Sequence, residues 1–193
     1  MYVVMKRLLP ILLMVASTMT FAAKDGAADS CSNVLRISVL PCNDLKRIPI
    51  QVGLRNELPI TCVQCYISTP DTTDLFLRNE GEQDNIACTP SERWASNHHT
   101  MIKWAPKSDP YTAMVIVVSS TSENFAGNEG AIFTIYFDGS KLGEGEHKVK
   151  MIKGNVAWTD HKTIKTFYTP DTEATFTIKR GKVVAPKGSD KKK

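Results

Sequence analysis

The sequence predicts an all-β protein, a two-sheet antiparallel β-sandwich. Three observations carry that prediction. Residues 125–138, FAGNEGAIFTIYFD, join a glycine-containing loop to a period-two apolar run. In that run Ala131, Phe133, Ile135 and Phe137 share one face, and Ile132, Thr134 and Tyr136 share the other. A face this bulky needs a second sheet over it, and Gly127 and Gly130 permit a sharp bend just before the strand. Short runs of the same kind recur along the chain, about nine or ten in all, with turn residues between them and no amphipathic helix of useful length.

The first segment stands apart from this pattern. Lys6 and Arg7 precede an apolar run, Leu8–Phe21, and the small residues Ala22 and Ala23 follow it. That is the order of a secretory signal peptide, with cleavage after Ala22 or Ala23. The run is shorter than the roughly 20 residues a membrane span requires. Cys31 lies too far downstream to be a lipid-attachment residue. The chain therefore divides into a signal peptide (1–23), a flexible leader (24–31), a sandwich (32–180) and a Lys-rich disordered tail (181–193), and secretion is expected.

Charge supports the same division. The chain carries 24 Lys and Arg against 20 Asp and Glu, and cleavage removes only Lys6 and Arg7, leaving a net +2. Seven of the remaining cations and one acid, Asp190, fall in the last fifteen residues, so the body 24–178 is net −4. The sequence pI of 8.8 is thus a property of the tail.

The strands follow in order. Leu35, Ile37 and Val39 form the first, and Pro41–Asp44 turns the chain. Ile48, Ile50, Val52 and Leu54 form the second, where Pro49 marks an edge or a bulge. In the third, Ile60–Thr69, one face holds Val63, Cys65 and Ile67, and the other Cys62, Gln64, Tyr66 and Ser68. Short strands are possible at Leu75–Arg78 and Asn85–Cys88, and Ser91–His99 reads as loop or strand. Thr100–Ala105 is a strand. Tyr111–Ser119 is apolar on both faces, as in a central strand. After residues 131–137, Glu146–Lys153 sets His147, Val149 and Met151 against Lys148, Lys150 and Lys153; Val156 and Trp158 continue it, and Ala174, Phe176 and Ile178 form the last strand.

No constellation points to catalysis or a cofactor. Cys62-Val-Gln-Cys65 has metal or redox spacing, but within a strand an offset of three sends the sulfurs to opposite faces, which makes Cys65 a core residue. With Cys31, Cys42 and Cys88 the cysteines number five, which leaves one unpaired in any disulfide scheme. Cys31 and Cys42 flank a strand and should lie at opposite ends of the sandwich. Cys62 with Cys88 is the first pairing to test, and five free thiols is the alternative. Neighbouring His98 and His99 diverge in an extended chain and read as turn or surface residues, not metal ligands. Serines and acids are plentiful, but no nucleophile elbow or HExxH motif is present. The Lys-rich tail lacks interleaved aromatics, so nucleic acid is a poor partner. It is a solubilising tail, or it attaches electrostatically to an anionic surface polymer.

What remains is a surface. If the third strand pairs with Tyr111–Ser119, then Gln64, Tyr66, Met114 and Ile116 form an exposed, partly apolar stripe suited to a partner. The doubly apolar run does not set its own orientation, so inward-facing Met114 and Ile116 stay equally open.

Several segments resemble bacterial cohesin-like modules. Ile48–Thr69 with Pro70-Asp71 resembles their second and third strands, with Val63 and Cys65 where that pattern usually has Phe. Ser91–His98 (SERWASNH) is similar to an SDRxxSDH segment, Asn124–Phe137 to FSGNxGxLFTLxF, and Leu142–Asp160 to an LxxGxHxVxIxNIxxSD stretch. The resemblance covers about residues 32–180. It implies a nine-stranded jelly roll related to carbohydrate-binding modules, and partner binding on the sheet of the third, fifth, sixth and eighth strands. The expectation is a secreted, monomeric, non-enzymatic module recognising a partner protein, dockerin-type or other. The alternatives are polysaccharide binding, with Tyr66, Trp94, Trp104 and Trp158 as stacking platforms, and an envelope-structural role without a discrete ligand.

Overall fold

The computed structural model describes residues 33–69, 76–78, 86–104, 112–159 and 162–184, without the side chains of residues 103 and 104. The apolar N-terminal run, the leader with Cys31, and residues 185–193 lie outside the described residues. Among the described residues there are eleven strands: β1 (Val34–Val39), β2 (Ile48–Arg55), β3 (Cys62–Ser68), β4 (Cys88–Pro90), β5 (His98–Trp104), β6 (Thr112–Ser119), β7 (Ala131–Phe137), β8 (Gly145–Thr159), β9 (Ile164–Thr169), β10 (Thr172–Lys179) and β11 (Lys182–Val184). The only helical element among the described residues is a 3-10 turn at Leu45–Arg47.

All pairings are antiparallel. One sheet runs β1-β2-β7-β4 and the other β11-β10-β8-β3-β6-β5, with β9 on the second half of β8. The expected two-sheet antiparallel jelly-roll sandwich is the observed architecture. Its core is made by the inward rows of both sheets: Ile37, Val52, Phe133 and Ile135 from one, Val63, Cys65, Ile67, Val115 and Phe176 from the other. Phe137 of β7 meets Phe176 of β10 edge-on across the interior, with ring centroids 5.9 Å apart.

The strand after the glycine loop departs from simple alternation. Gly53 opposes Ala131 and Val52 opposes Phe133, so Ile132 is the extra residue of a bulge. Ile132 is therefore fully buried instead of facing out with Thr134 and Tyr136. Its carbonyl leaves the ladder and accepts from Trp94 Nε1 and from the Ser91 N–H.

The adjoining corner is held by Arg93, which is buried. Its guanidinium donates to the carbonyls of Ala126 (2.5 Å), Leu54 (2.6 Å), Gly127 (3.0 Å) and Gly130 (3.2 Å) and to Asn56 Oδ1 (2.7 Å). Gly127 and Gly130 have φ of 68° and 133°, the left-handed geometry that aims the loop carbonyls at one point. Burial lowers the Arg93 pKa, and the oxygens around it take the place of a counterion.

Three further assignments are corrected by the structure. Ile164–Thr169, not recognised as a strand, pairs with β8. Residues 182–184, placed in the disordered tail, form β11, because Val183 is buried and exchanges backbone hydrogen bonds with Cys42. Cys42, Cys62, Cys65 and Cys88 are all free, and the pairing of Cys62 with Cys88 fails because Cys62 points away from the core on β3 while Cys88 packs against the core from the other sheet.

Candidate binding face

The outer face of the seven-stranded sheet is built outward from β3. Val63, Cys65 and Ile67 enter the core, so Cys62, Gln64, Tyr66 and Ser68 point away from it. Register then settles the orientation of β6, which its composition leaves open. Fully buried Val115 opposes Cys65, and therefore Met114 opposes Tyr66 and Ile116 opposes Gln64 on the outside. The four residues singled out by sequence form one contiguous block.

Neighbouring strands extend the block. Met101 of β5 opposes Ile116; Asn155 of β8 opposes Gln64; Tyr168 of β9 opposes Asn155. Five side chains thus cross the sheet in one row, from Met101 to Tyr168. Ile152 flanks Tyr66 from β8. Of the stripe expected to be exposed, Gln64, Tyr66 and Met114 are half-buried and Ile116 is only 8% exposed although it lies outside the core, whereas Tyr168 is 53% exposed. Ile164 and Val184, two more exposed apolar side chains, register to the same face.

A bulge in β8 shapes this surface. Gln64 opposes Asn155 and Tyr66 opposes Ile152, so Lys153 and Gly154 share one position across from Cys65. Lys153 takes φ 51° and brings its Nζ 5.7 Å from the Tyr66 ring centroid. Gly154 turns inward, where Thr169 Oγ1 and Leu35 leave no room for a Cβ. Sequence periodicity missed Asn155, Ile152 and Tyr168. The signal was the slip in alternation at Lys153-Gly154, which a bulge explains and a regular strand does not.

The other candidates are placed elsewhere. Cys65 is in the core and Cys62 outside it; burial pushes both thiols, and that of Cys88, up to about 12. Protonated thiols of this kind are poor nucleophiles and poor ligands. His98 is not a surface residue. It is buried and stacks on Phe125 with centroids 4.4 Å apart, and its Nδ1 accepts from the Ala95 N–H at 2.9 Å. His99 is exposed on the opposite face of the strand. Among the described residues no three His, Cys, Asp or Glu side chains gather as metal ligands would. Trp94 packs against the core, and Trp158 alternates with outward Ala157, so neither provides a platform on this face. The side chain of Trp104 lies outside the described ones.

The site is thus a sheet face on a jelly-roll sandwich, with apolar side chains around Gln64 and Asn155. The chain has a cohesin-like fold. It aligns with a chain of the CaDoc0917–CaCohA2 complex at 16% identity and a TM-score of 0.51, covering 74% of this chain and 99% of that one. A type I cohesin–dockerin complex from Clostridium thermocellum aligns at 17% identity, TM-score 0.49, covering 73% and 97%. A non-cellulosomal cohesin from the archaeon Archaeoglobus fulgidus aligns at 13% identity, TM-score 0.47, covering 74% and 90%. No protein-family model matches the chain, and no curated protein matches its sequence.

Proposed function

We propose that the protein is a secreted, non-catalytic binding module that recognises a partner protein through the outer face of the seven-stranded sheet. The observation that carries this reading is the chemistry of the face: Met101, Met114, Ile116, Ile152, Tyr66 and Tyr168 lie together where an ordinary solvent-facing sheet would carry polar side chains. An apolar centre with polar surroundings suits a protein partner better than a sugar, which would call for coplanar exposed rings. Dockerin-type proteins are the first partners to test, because the similar CaCohA2 chain was crystallised in a CaDoc0917 complex.

The test is a pull-down with the mature chain, wild type beside a Tyr66→Ala/Ile116→Asp variant whose folding is verified by circular dichroism. The wild type is expected to retain a partner that the variant loses. Equal recovery of every partner by both forms removes the face from consideration.

A further inference from the structure

The apolar block is bordered on one side by ammonium groups. Lys148 and Lys150 alternate with buried Val149 and Met151 on β8 and so point to the outer face, where Lys150 opposes Ser68. The bulge brings Lys153 to the same side, over Tyr66. On the described parts of β8 and β10 only two acids face this way, Glu146 and Glu173. Glu173 is shared, at 2.7 Å from Lys148 Nζ and 3.9 Å from Lys150 Nζ, so one carboxylate serves two ammoniums. Glu173 holds the Lys148 pKa up, which keeps that ammonium charged. Asp171, just before β10, adds a third carboxylate, its Oδ1 accepting from the Lys153 N–H at 2.9 Å. Outward Lys179 and Lys182 add two ammoniums, so five cations face three acids at this edge, whereas residues 33–184 as a whole balance at 17 of each.

We propose that the partner meets this edge with carboxylates: it is an amphipathic protein segment with apolar side chains on Met114, Ile116 and Tyr66 and an acidic flank against Lys148, Lys150 and Lys153. This rests on the reading of the outer face as the partner site. The physical reason is desolvation. A partner covering Tyr66 must also approach Lys153 and Lys150, and removing water from ammoniums is costly unless opposite charge replaces it. A neutral or basic partner leaves that cost uncompensated. An acidic flank offsets it and speeds encounter as well.

Two synthetic helical peptides with the same Leu/Ile face test this, one flanked by glutamates and one by lysines, each fluorescently labelled and titrated with the mature chain. The glutamate peptide is expected to bind about tenfold more tightly, with the difference shrinking as salt rises. Lys148→Glu/Lys150→Glu/Lys153→Glu, at exposed positions, should invert the preference. Glu173→Gln should strengthen the glutamate peptide by freeing both ammoniums. Tyr66→Ala should weaken both peptides. Equal affinities that both fall in Tyr66→Ala overturn the acidic flank and leave the face intact. Glutamate-peptide binding that survives Tyr66→Ala/Ile116→Asp and is displaced by dextran sulfate makes the lysines a general polyanion site and overturns both readings. Binding of neither peptide overturns the acidic amphipathic partner.

Discussion

The two sheets obey the same alternation and present opposite surfaces. Across the outer face of the four-stranded sheet one row reads Ser38, Gln51, Thr134, Thr89. Across the seven-stranded sheet the comparable row reads Met101, Ile116, Gln64, Asn155, Tyr168. The first is a solvent face, finished by Thr89 Oγ1 bonded to Tyr136 Oη at 3.0 Å and by Arg47 lying 4.1 Å over the Tyr136 ring. The second carries apolar groups on the side turned away from the core. Both sheets need one buried face to fold, and only one of them carries a second apolar face. That excess is not required by the sandwich, and it is the reason to look for a partner there.

The comparison is sharpened by substitutions that separate folding from binding. The largest stability effect belongs to the inward row: Phe133→Ala should cost about 4 kcal/mol in urea unfolding, through lost transfer energy and a cavity between the sheets. Arg93→Ala should follow at about 3 kcal/mol, because four carbonyls and Asn56 Oδ1 lose their donor together. Arg93→Lys should recover only part, since an ammonium cannot span the same fan of acceptors. Neither substitution touches the outer face, and peptide affinity measured well below the melting temperature should stay unchanged in both.

A smaller effect is expected at His98. Its neutral ring accepts from Ala95 and stacks on Phe125, and desolvation lowers its pKa below the ordinary 6.5, with Glu123 opposing and His99 reinforcing the shift. With the folded-state value depressed, the unfolded chain takes the proton first. Stability contributed by the neutral ring is then complete above about pH 6.5 and declines as pH falls below it. A pH series of unfolding midpoints checks this, and His98→Gln should flatten the decline; an unchanged slope would remove His98 as its source. The smallest effect is reserved for the polar sheet. Thr134→Lys should shift stability by less than about 0.5 kcal/mol and leave peptide binding as it was. If it abolished binding instead, the two faces would have been assigned the wrong way round.

Much of this was legible in the residues. Phe133, Ile135 and Phe137 announce a strand with one buried face, and Gly127 and Gly130 announce the bend before it. Val63, Cys65 and Ile67 mark the inner side of β3, which puts Gln64 and Tyr66 outside without further help. β9 was not legible, because Ile164, Lys165, Thr166, Phe167, Tyr168 and Thr169 mix polar and apolar residues on both faces, as an edge strand can. β11 was hidden by its lysine and by the polar stretch that follows, although Val183 alone is enough to anchor it. His98 was misread because a two-histidine sequence says nothing about the loop that folds over one ring.

Local pattern therefore determined the fold class, the turn chemistry and the side of β3 that faces away from the core, since strand alternation is a property of neighbouring residues. Tertiary structure alone decided the rest. Only pairing with β3 could orient Met114 and Ile116, because a run that is apolar on both faces has no preferred side of its own. Only the bulge opposite Cys65 could place Lys153 beside Tyr66, and only sheet order could bring Tyr168 into line with Gln64. Those are relations between strands distant in sequence, and hydrogen-bond register is the physical quantity that sets them.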